Sequence, residues 1–522
     1  MSAAAPGIDA IALLPGDLPV CWLFPDFLSA SECDAEIASA QAHGFVRADA
    51  DFPPSYRNNR RLVLDDPSRT EALYARLLTR MTMDALVCVA HGRRWRPTGV
   101  NPRLRYCRYE PGEAFHLHQD GVRHERDGRR SLLTFMIYLD DPDRFEGGET
   151  RFFAHGPEGD ANGDNPVLLS LRPPRGSLIV FDHGLWHDGA EVLAGVKHVL
   201  RSDLLFAADA AADAVADTRG VAGPFTPGHD GYVWKLAALG DGGVASAGRD
   251  AIVRLWSNDG TPRGMLAGHT QSILALAQTS ADTLYTLSRD RSLRCWDLER
   301  SIETGCTIAH AGAGLALVAD VDGSLVSGGA DGALRRWRRM EVVASRDAAH
   351  AGWIWDIALH GETTISVGED GFARIWRCED LSLMAALPHP HPLRAVAVCA
   401  HADGITLVCG DMYGHVHVWH TSDGHDWHRS GMQARHRAAV RALRWLPDGR
   451  LGSAGEDGRI LVGGRTAEEP WHEVARHANF ATDLLAFRDG RLLSAGYDGS
   501  LRVADLVTGH SSTADIIATE NL

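Results

Sequence analysis

No apolar run in this chain approaches the roughly 18 residues that a membrane-spanning helix needs, so no helical membrane anchor is expected. Paired cysteines are missing too: the nine, at 21, 33, 88, 107, 295, 306, 378, 399 and 409, never form a CxxC. That scatter argues against a disulfide framework or a thiolate zinc site and for a reducing compartment. The opening stretch, MSAAAPGIDAIALLPGDLPV, lacks a basic segment, so no secretory signal is expected. Positive charge is in deficit, at 52 Lys and Arg against 68 Asp and Glu, a net −16. This balance disfavours a nucleic-acid or anionic-membrane partner. What is present is 45% hydrophobic and 23% charged residues over 522 positions, too many for one ordinary core. The expectation is a cytoplasmic, soluble chain of two or more domains.

The second half repeats itself. A histidine recurs at His229, His269, His310, His350, His391, His436 and His477, with gaps of 40, 41, 40, 41, 45 and 41 residues. About 21 residues after each lies a turn, and six of the seven turns end in Asp (Asp250, Asp290, Asp331, Asp370, Asp457, Asp498); the fifth has Tyr413. Six residues further on, five repeats carry Trp: Trp256, Trp296, Trp337, Trp376 and Trp419. Short apolar runs such as ARIW and VHVW alternate with these Gly/Asp turns, as four-stranded antiparallel units require. The pattern over 227–513 resembles WD40 repeats, which implies a seven-bladed β-propeller. It also implies that the recurring His, Ser/Thr, Asp and Trp satisfy one another inside each blade. The closing strand is expected from VAGPFTPG before His229 or from SSTADII after Asp505.

The first half reads differently. FLSASECDAEIASAQAHG carries a capping-box pattern, Ser29 with Glu32, and helical periodicity up to Gly44. A second helix is expected over roughly 66–91. From 103 to 206 the pattern turns to short β runs, and helices followed by such runs suggest a jelly roll supported by helices. Within it, RYEPGEAFHLHQDG puts His116, His118 and Asp120 on alternate positions, so that they share one strand face. A third ligand has to come from another strand, and His187, just after the apolar run SLIVFD, is the candidate. Two imidazoles and a carboxylate on one side of an iron leave its other positions open.

Together, YEPGEAFHLHQDG, MIYLDDPDRFEGGETRFF and GSLIVFDHGLWHDGAEVLAGVKHVLRSDLLF resemble the 2-oxoglutarate- and Fe(II)-dependent oxygenases of the prolyl 4-hydroxylase subgroup. The match covers about 20–206. It implies that His118, Asp120 and His187 bind Fe(II), and that Lys197 and Tyr138 receive the distal carboxylate of 2-oxoglutarate beside Tyr109. O2 is the implied cosubstrate and ascorbate the implied reductant. Asp140 stands where that family usually has Asn and is expected to affect only a turn. His116 is expected to be a pocket or surface residue. His124, His183 and His198 are expected to be structural, Arg201 to assist Lys197 if no bulge intervenes, and Asp188 and Glu191 to be loop carboxylates. The expected layout is an oxygenase domain at 1–206, an Ala/Asp-rich linker at 207–226, a propeller at 227–513 and a tail at 514–522. The resemblance implies hydroxylation of an unactivated C–H bond, prolyl first, on a protein or peptide docked by the propeller. Two alternatives stand beside it: a hydroxylase of a free amino acid or small metabolite, and a WD40 scaffold with an inactive oxygenase half. Retention of the triad with Lys197 argues against the scaffold.

Overall fold

The computed structural model describes residues 10–15, 19–48, 57–90, 93–121, 125, 129–156, 164–208, 228–464 and 470–506. The chain divides into two compact units, within 1–217 and 218–522. The expected linker (except 207 and 208), the C-terminal tail and the SSTADII segment lie outside the described residues, as do all but the last position of VAGPFTPG.

In the first unit, helix α1 (Ala30–His43) begins as its sequence dictates. The Ser29 side chain accepts from the Glu32 N–H, the Glu32 carboxylate accepts from the Ser29 N–H, and Gly44 ends the helix at φ +88°. Helix α2 (Pro67–Arg80) is shorter than expected. Met81 turns extended and inserts fully into the core, a short 3-10 turn follows at Met83–Leu86, and Cys88–Ala90 becomes a strand paired with Arg93–Val100. Burying Met81 and Leu86 outweighs continuing the helix into a stretch with Val87 and Val89, which favour strand.

Both helices cover one face of a large antiparallel sheet. Its central strands run in the order Cys21–Phe24, Leu178–Asp182, Arg130–Tyr138, Lys197–Ala208, Arg103–Tyr109 and Arg60–Asp65. Side-chain alternation sorts the central strands. Leu133, Phe135, Ile137, Leu200, Leu204 and Phe206 point toward the helices and form the main core. Each such fully buried side chain contributes about 1.5–3 kcal/mol of apolar burial. The opposite face carries Met136, Tyr138 and Val199, which pack with Tyr109, Phe115, Phe152 and Phe181 in a second core. A second antiparallel sheet closes over that face, in the order Val167–Leu171, Thr150–Phe153, Trp186–Gly189 and Phe115–His118. Lys197–Ala208 runs two residues past the boundary expected at 206.

The second unit holds, among the described residues, six four-stranded antiparallel sheets and one three-stranded sheet in succession. Four-stranded sheets of this kind fit propeller blades. Each first strand lies beside the first strand of the next sheet, and Val233–Ala238 lies beside Ala481–Ala486 of the last. There the Leu236 N–H donates to Asp483 Oδ2 at 2.9 Å, and Thr482 donates to the Val233 carbonyl at 2.7 Å. The repeat residues form the expected set in the first four sheets. In the third, for example, the His310 ring joins Asp331 and Ser327, each at 2.9 Å, and Trp337 Nε1–H donates to Ser327 at 2.8 Å. His436 and His477 keep the Asp and Ser contacts without a Trp.

The fifth repeat departs from the expectation. His389, not His391, receives the Trp419 N–H, at 2.9 Å. With Tyr413 at the Asp position and Cys409 at the Ser position, the usual partners of a repeat histidine are gone.

Candidate metal centre

His118 ends the Phe115–His118 strand and lies directly opposite His187 on the neighbouring Trp186–Gly189 strand, their ring centroids 4.3 Å apart. Asp120 follows one turn of the pleat later, held by its own N–H to the His183 carbonyl at 3.1 Å. Asp120 Oδ1 lies 3.5 Å from His118 Nε2, and Oδ2 lies 3.6 Å from His187 Nε2. All three side chains are buried. Each ring is aimed by a backbone carbonyl: His118 Nδ1–H donates to His116 O at 2.7 Å, and His187 Nδ1–H to Leu185 O at 2.9 Å. That choice of tautomer turns both Nε2 atoms toward Asp120. Phe115 stacks on His118 at 3.7 Å, and Phe181 meets His187 edge-on at 4.8 Å.

Electrostatics prepares the same set. Burial pushes the His187 imidazolium down to about 3 and lowers His118 as well, so both rings are neutral near pH 7. Burial alone pushes the Asp120 carboxyl up, but the Arg201 guanidinium holds it well below the usual carboxylate range. Arg201 pairs with Asp120 Oδ1, and Thr134 donates to Oδ2. Two neutral imidazoles and one ionised carboxylate, each fixed by an outer partner, are a donor set that fits a divalent iron.

Lys197, Val199, Arg201 and Asp203 share one strand face, and the register shows no bulge before Leu204. Arg201 is thus on the Lys197 face, as expected, but its partner is Asp120 rather than a ligand carboxylate. Lys197 lies directly across from Tyr109. Its ammonium is buried, donates to the Gly148 carbonyl at 2.7 Å, and sits 5.4 Å from the Tyr109 ring and 5.7 Å from the Tyr138 ring. Among the described residues no carboxylate reaches it within ion-pair distance. Burial pulls it from 10.5 down to about 8. The Gly-Gly step explains the carbonyl: Gly147 and Gly148 have φ of +68° and +67°, and a Cβ on Gly147 would stand 2.3 Å from the Glu191 carbonyl. Tyr138 donates to Thr150 at 2.7 Å.

Several expectations need correction. Asp140 does more than shape a turn. It accepts from both the His198 N–H, at 2.5 Å, and His198 Nδ1–H, at 2.9 Å, beside Lys197. Asp188 lies on a strand, not in a loop, and pairs with Arg151 at 2.9 Å. His116 is exposed and contributes only its carbonyl. Glu191 is an exposed residue between strands, and His183 is buried 3.9 Å from Asp203. His124 lies outside the described residues. Thr134, Thr150 and Arg201's pairing were missed; only strand parity, in Arg201's case, hinted at a role.

The fold and site define a β-rich unit with a buried His-Asp-His set, joined to a unit of repeated four-stranded sheets. Residues 104–202 match the 2OG-Fe(II) oxygenase superfamily, a span that encloses all six candidate site residues. Residues 224–257 and 260–297 match the WD domain, G-beta repeat. The chain therefore carries a 2OG-Fe(II) oxygenase domain together with WD40 repeats. It is similar to telomerase protein component 1 of Mus musculus and of Rattus norvegicus, each 28% identical over 256 residues, covering 45% of this chain and 9% of theirs. It is also similar to a p21-activated protein kinase-interacting protein 1-like protein of Gallus gallus, 32% identical over 120 residues, covering 22% of this chain and 32% of that one. The chain thus spans less than a third of the length of these relatives.

Proposed function

We propose that this protein is an active 2-oxoglutarate- and Fe(II)-dependent hydroxylase of the prolyl 4-hydroxylase kind. In this reading a double-stranded β-helix within about 1–208 does the chemistry, and a seven-bladed propeller docks a protein or peptide substrate. The observation that carries the reading is Lys197: a buried ammonium that no carboxylate among the described residues pairs with, on the same sheet face as the residues around Asp120. A buried cation calls for a counter-charge, and the distal carboxylate of 2-oxoglutarate supplies one.

His118, Asp120 and His187 would hold the iron through two imidazole nitrogens and a carboxylate oxygen. When bound, iron with 2-oxoglutarate and O2 supplies the oxidising power that yields succinate and hydroxylates a C–H bond. Arg201 and Thr134 keep Asp120 ionised and oriented. Lys197 anchors the cosubstrate's far end, Tyr138 joins it by turning its O–H from Thr150 to the incoming carboxylate, and Tyr109 covers the ammonium. Phe152, Phe181 and Val199 form dry walls that exclude water. Asp120 occupies the position that a halogenating site leaves to chloride, which favours hydroxylation. Ascorbate as reductant and a cytoplasmic setting belong to the same proposal. The inactive-scaffold alternative is disfavoured, because a relic has no reason to retain a neutral His pair, an ionised Asp and a buried Lys together.

The test is to incubate full-length protein with Fe(II), 2-oxoglutarate and cell lysate and to search peptides and metabolites for +16 Da products. The expected result is succinate formation and an oxidised peptide residue, both absent with His187→Ala. Products confined to small molecules would move the substrate to the metabolite alternative, and no succinate under any condition would overturn the reading.

A further inference from the structure

The fifth sheet of the second unit departs from the repeat in several places at once. Its Ser position is Cys409, its Asp position is Tyr413, and the position four residues on is His417, where the first four sheets have Arg254, Arg294, Arg335 and Arg374. The displaced carboxylate is Asp411, which is wholly buried. One ligand-competent atom from each of His391, Asp411 and His415 lies within 4.8 Å of the other two. We propose that His391, Asp411 and His415 form a second metal site, specific for a divalent transition ion of the zinc class.

Two neighbouring histidines are already committed to structure, which narrows the ligand set. His389 accepts the Trp419 N–H at 2.9 Å and donates Nδ1–H to Leu387 O at 3.1 Å, so it fills the role of a repeat histidine. His391 is therefore not needed for that role. His417 Nδ1 accepts from Arg429 at 2.7 Å, which fixes the tautomer and leaves Nε2–H to donate to Asp411 Oδ2 at 3.0 Å. This Arg429–His417–Asp411 chain is the outer support that a metal-ligating carboxylate usually has.

The remaining geometry suits a bound ion. His415 Nδ1–H donates to Asp411 Oδ2 at 3.0 Å, a proton that a bound ion would replace, and the His391 and His415 rings lie nearly parallel with centroids 6.0 Å apart. Both rings are half-buried, which leaves an entry path and room for water ligands. Two imidazoles and one carboxylate match the three-ligand sets of zinc, with water at the fourth position. His391 stands between Pro390 and Pro392, so its backbone freedom is restricted before any ion arrives. This segment joins Leu383–Pro388, the last strand of the fourth sheet, to Leu393–His401, the first strand of the fifth. An ion there staples the connection to the His415–Thr421 strand.

The test uses full-length protein carrying His118→Ala and His187→Ala, which removes the candidate iron site, titrated with Zn2+ and separately with Co2+. The expected result is one saturable equivalent per chain, visible Co2+ absorption bands and a higher unfolding temperature with Zn2+. Adding His391→Ala is expected to weaken Zn2+ binding at least ~100-fold, beyond the 10–100-fold typical of losing an outer-shell partner, with cooperative unfolding kept. His391→Cys, which restores a zinc ligand, is expected to recover most of the affinity. Absence of a saturable equivalent, or equal Zn2+ affinity with and without His391, would overturn the proposal.

Discussion

Replacing Lys197 by Met isolates the charge on which the cosubstrate assignment rests. Met keeps the length and apolar stem and removes only the ammonium. That ammonium has the Gly148 carbonyl at 2.7 Å and two aromatic faces beyond 5 Å, with no carboxylate in reach among the described residues. Its descent from 10.5 to about 8 corresponds to about 3 kcal/mol of unrelieved desolvation, at about 1.4 kcal/mol per tenfold. An incoming carboxylate that relieves this forms a desolvated pair, and removing one partner of such a pair costs about 3–5 kcal/mol. The half-saturating 2-oxoglutarate concentration should therefore rise about 100- to 4,000-fold. Iron affinity should hold, and the cosubstrate-free protein should unfold at the same temperature or higher. Calorimetric titration of 2-oxoglutarate into the metal-loaded protein, with parallel thermal melts, measures all three. An unchanged 2-oxoglutarate requirement would refute the assignment. A strongly destabilised variant would show that Lys197 already has a structural partner.

The same lysine predicts a pH dependence. Its folded value is lowered, so the ammonium is present below about pH 8 and is lost as pH rises through it; 2-oxoglutarate affinity should fall about tenfold per pH unit above 8, while Lys197→Met shows no such slope in binding titrations from pH 7 to 9.5. Arg201→Gln removes the guanidinium from Asp120 and should weaken iron binding about 10–100-fold, measured by metal competition; unchanged affinity would assign the orientation of Asp120 to Thr134 alone. His116→Ala should retain iron, because only the His116 carbonyl is used, whereas His118→Ala should lose it. Ser327→Ala strips the buried Trp337 Nε1–H of its acceptor and His310 Nε2 of its donor and should cost about 1–3 kcal/mol, read from denaturant unfolding of the second unit.

Much of this was legible because it rests on spacing. The period of about 41 residues placed the His, Asp and Trp of the first four sheets. Strand alternation put His118 with Asp120, and Lys197 with Arg201. Partner choice was less legible: parity brought Arg201 to the right face but did not say that it would meet Asp120. The polar stretch RRWRPTG, within Arg93–Val100, gave no apolar rhythm, although it pairs with the far half of Lys197–Ala208. Helix α2 ended early because burial of Met81 is a tertiary effect that local periodicity does not contain. In HPHP, two histidines two residues apart fit the repeat about equally well, and only the reach of Trp419 selects His389. Asp140 looked like a turn residue because its partner, His198, is 58 positions away.

The central claim is that His118, Asp120 and His187 form a working oxygenase centre. The most direct measurement is succinate release from 2-oxoglutarate by the full-length protein, with and without Fe(II), beside Asp120→Ala. The account predicts Fe(II)-dependent succinate from the wild type and background levels from the variant. Equal succinate from both, or none from the wild type with Fe(II) and O2 present, would contradict it.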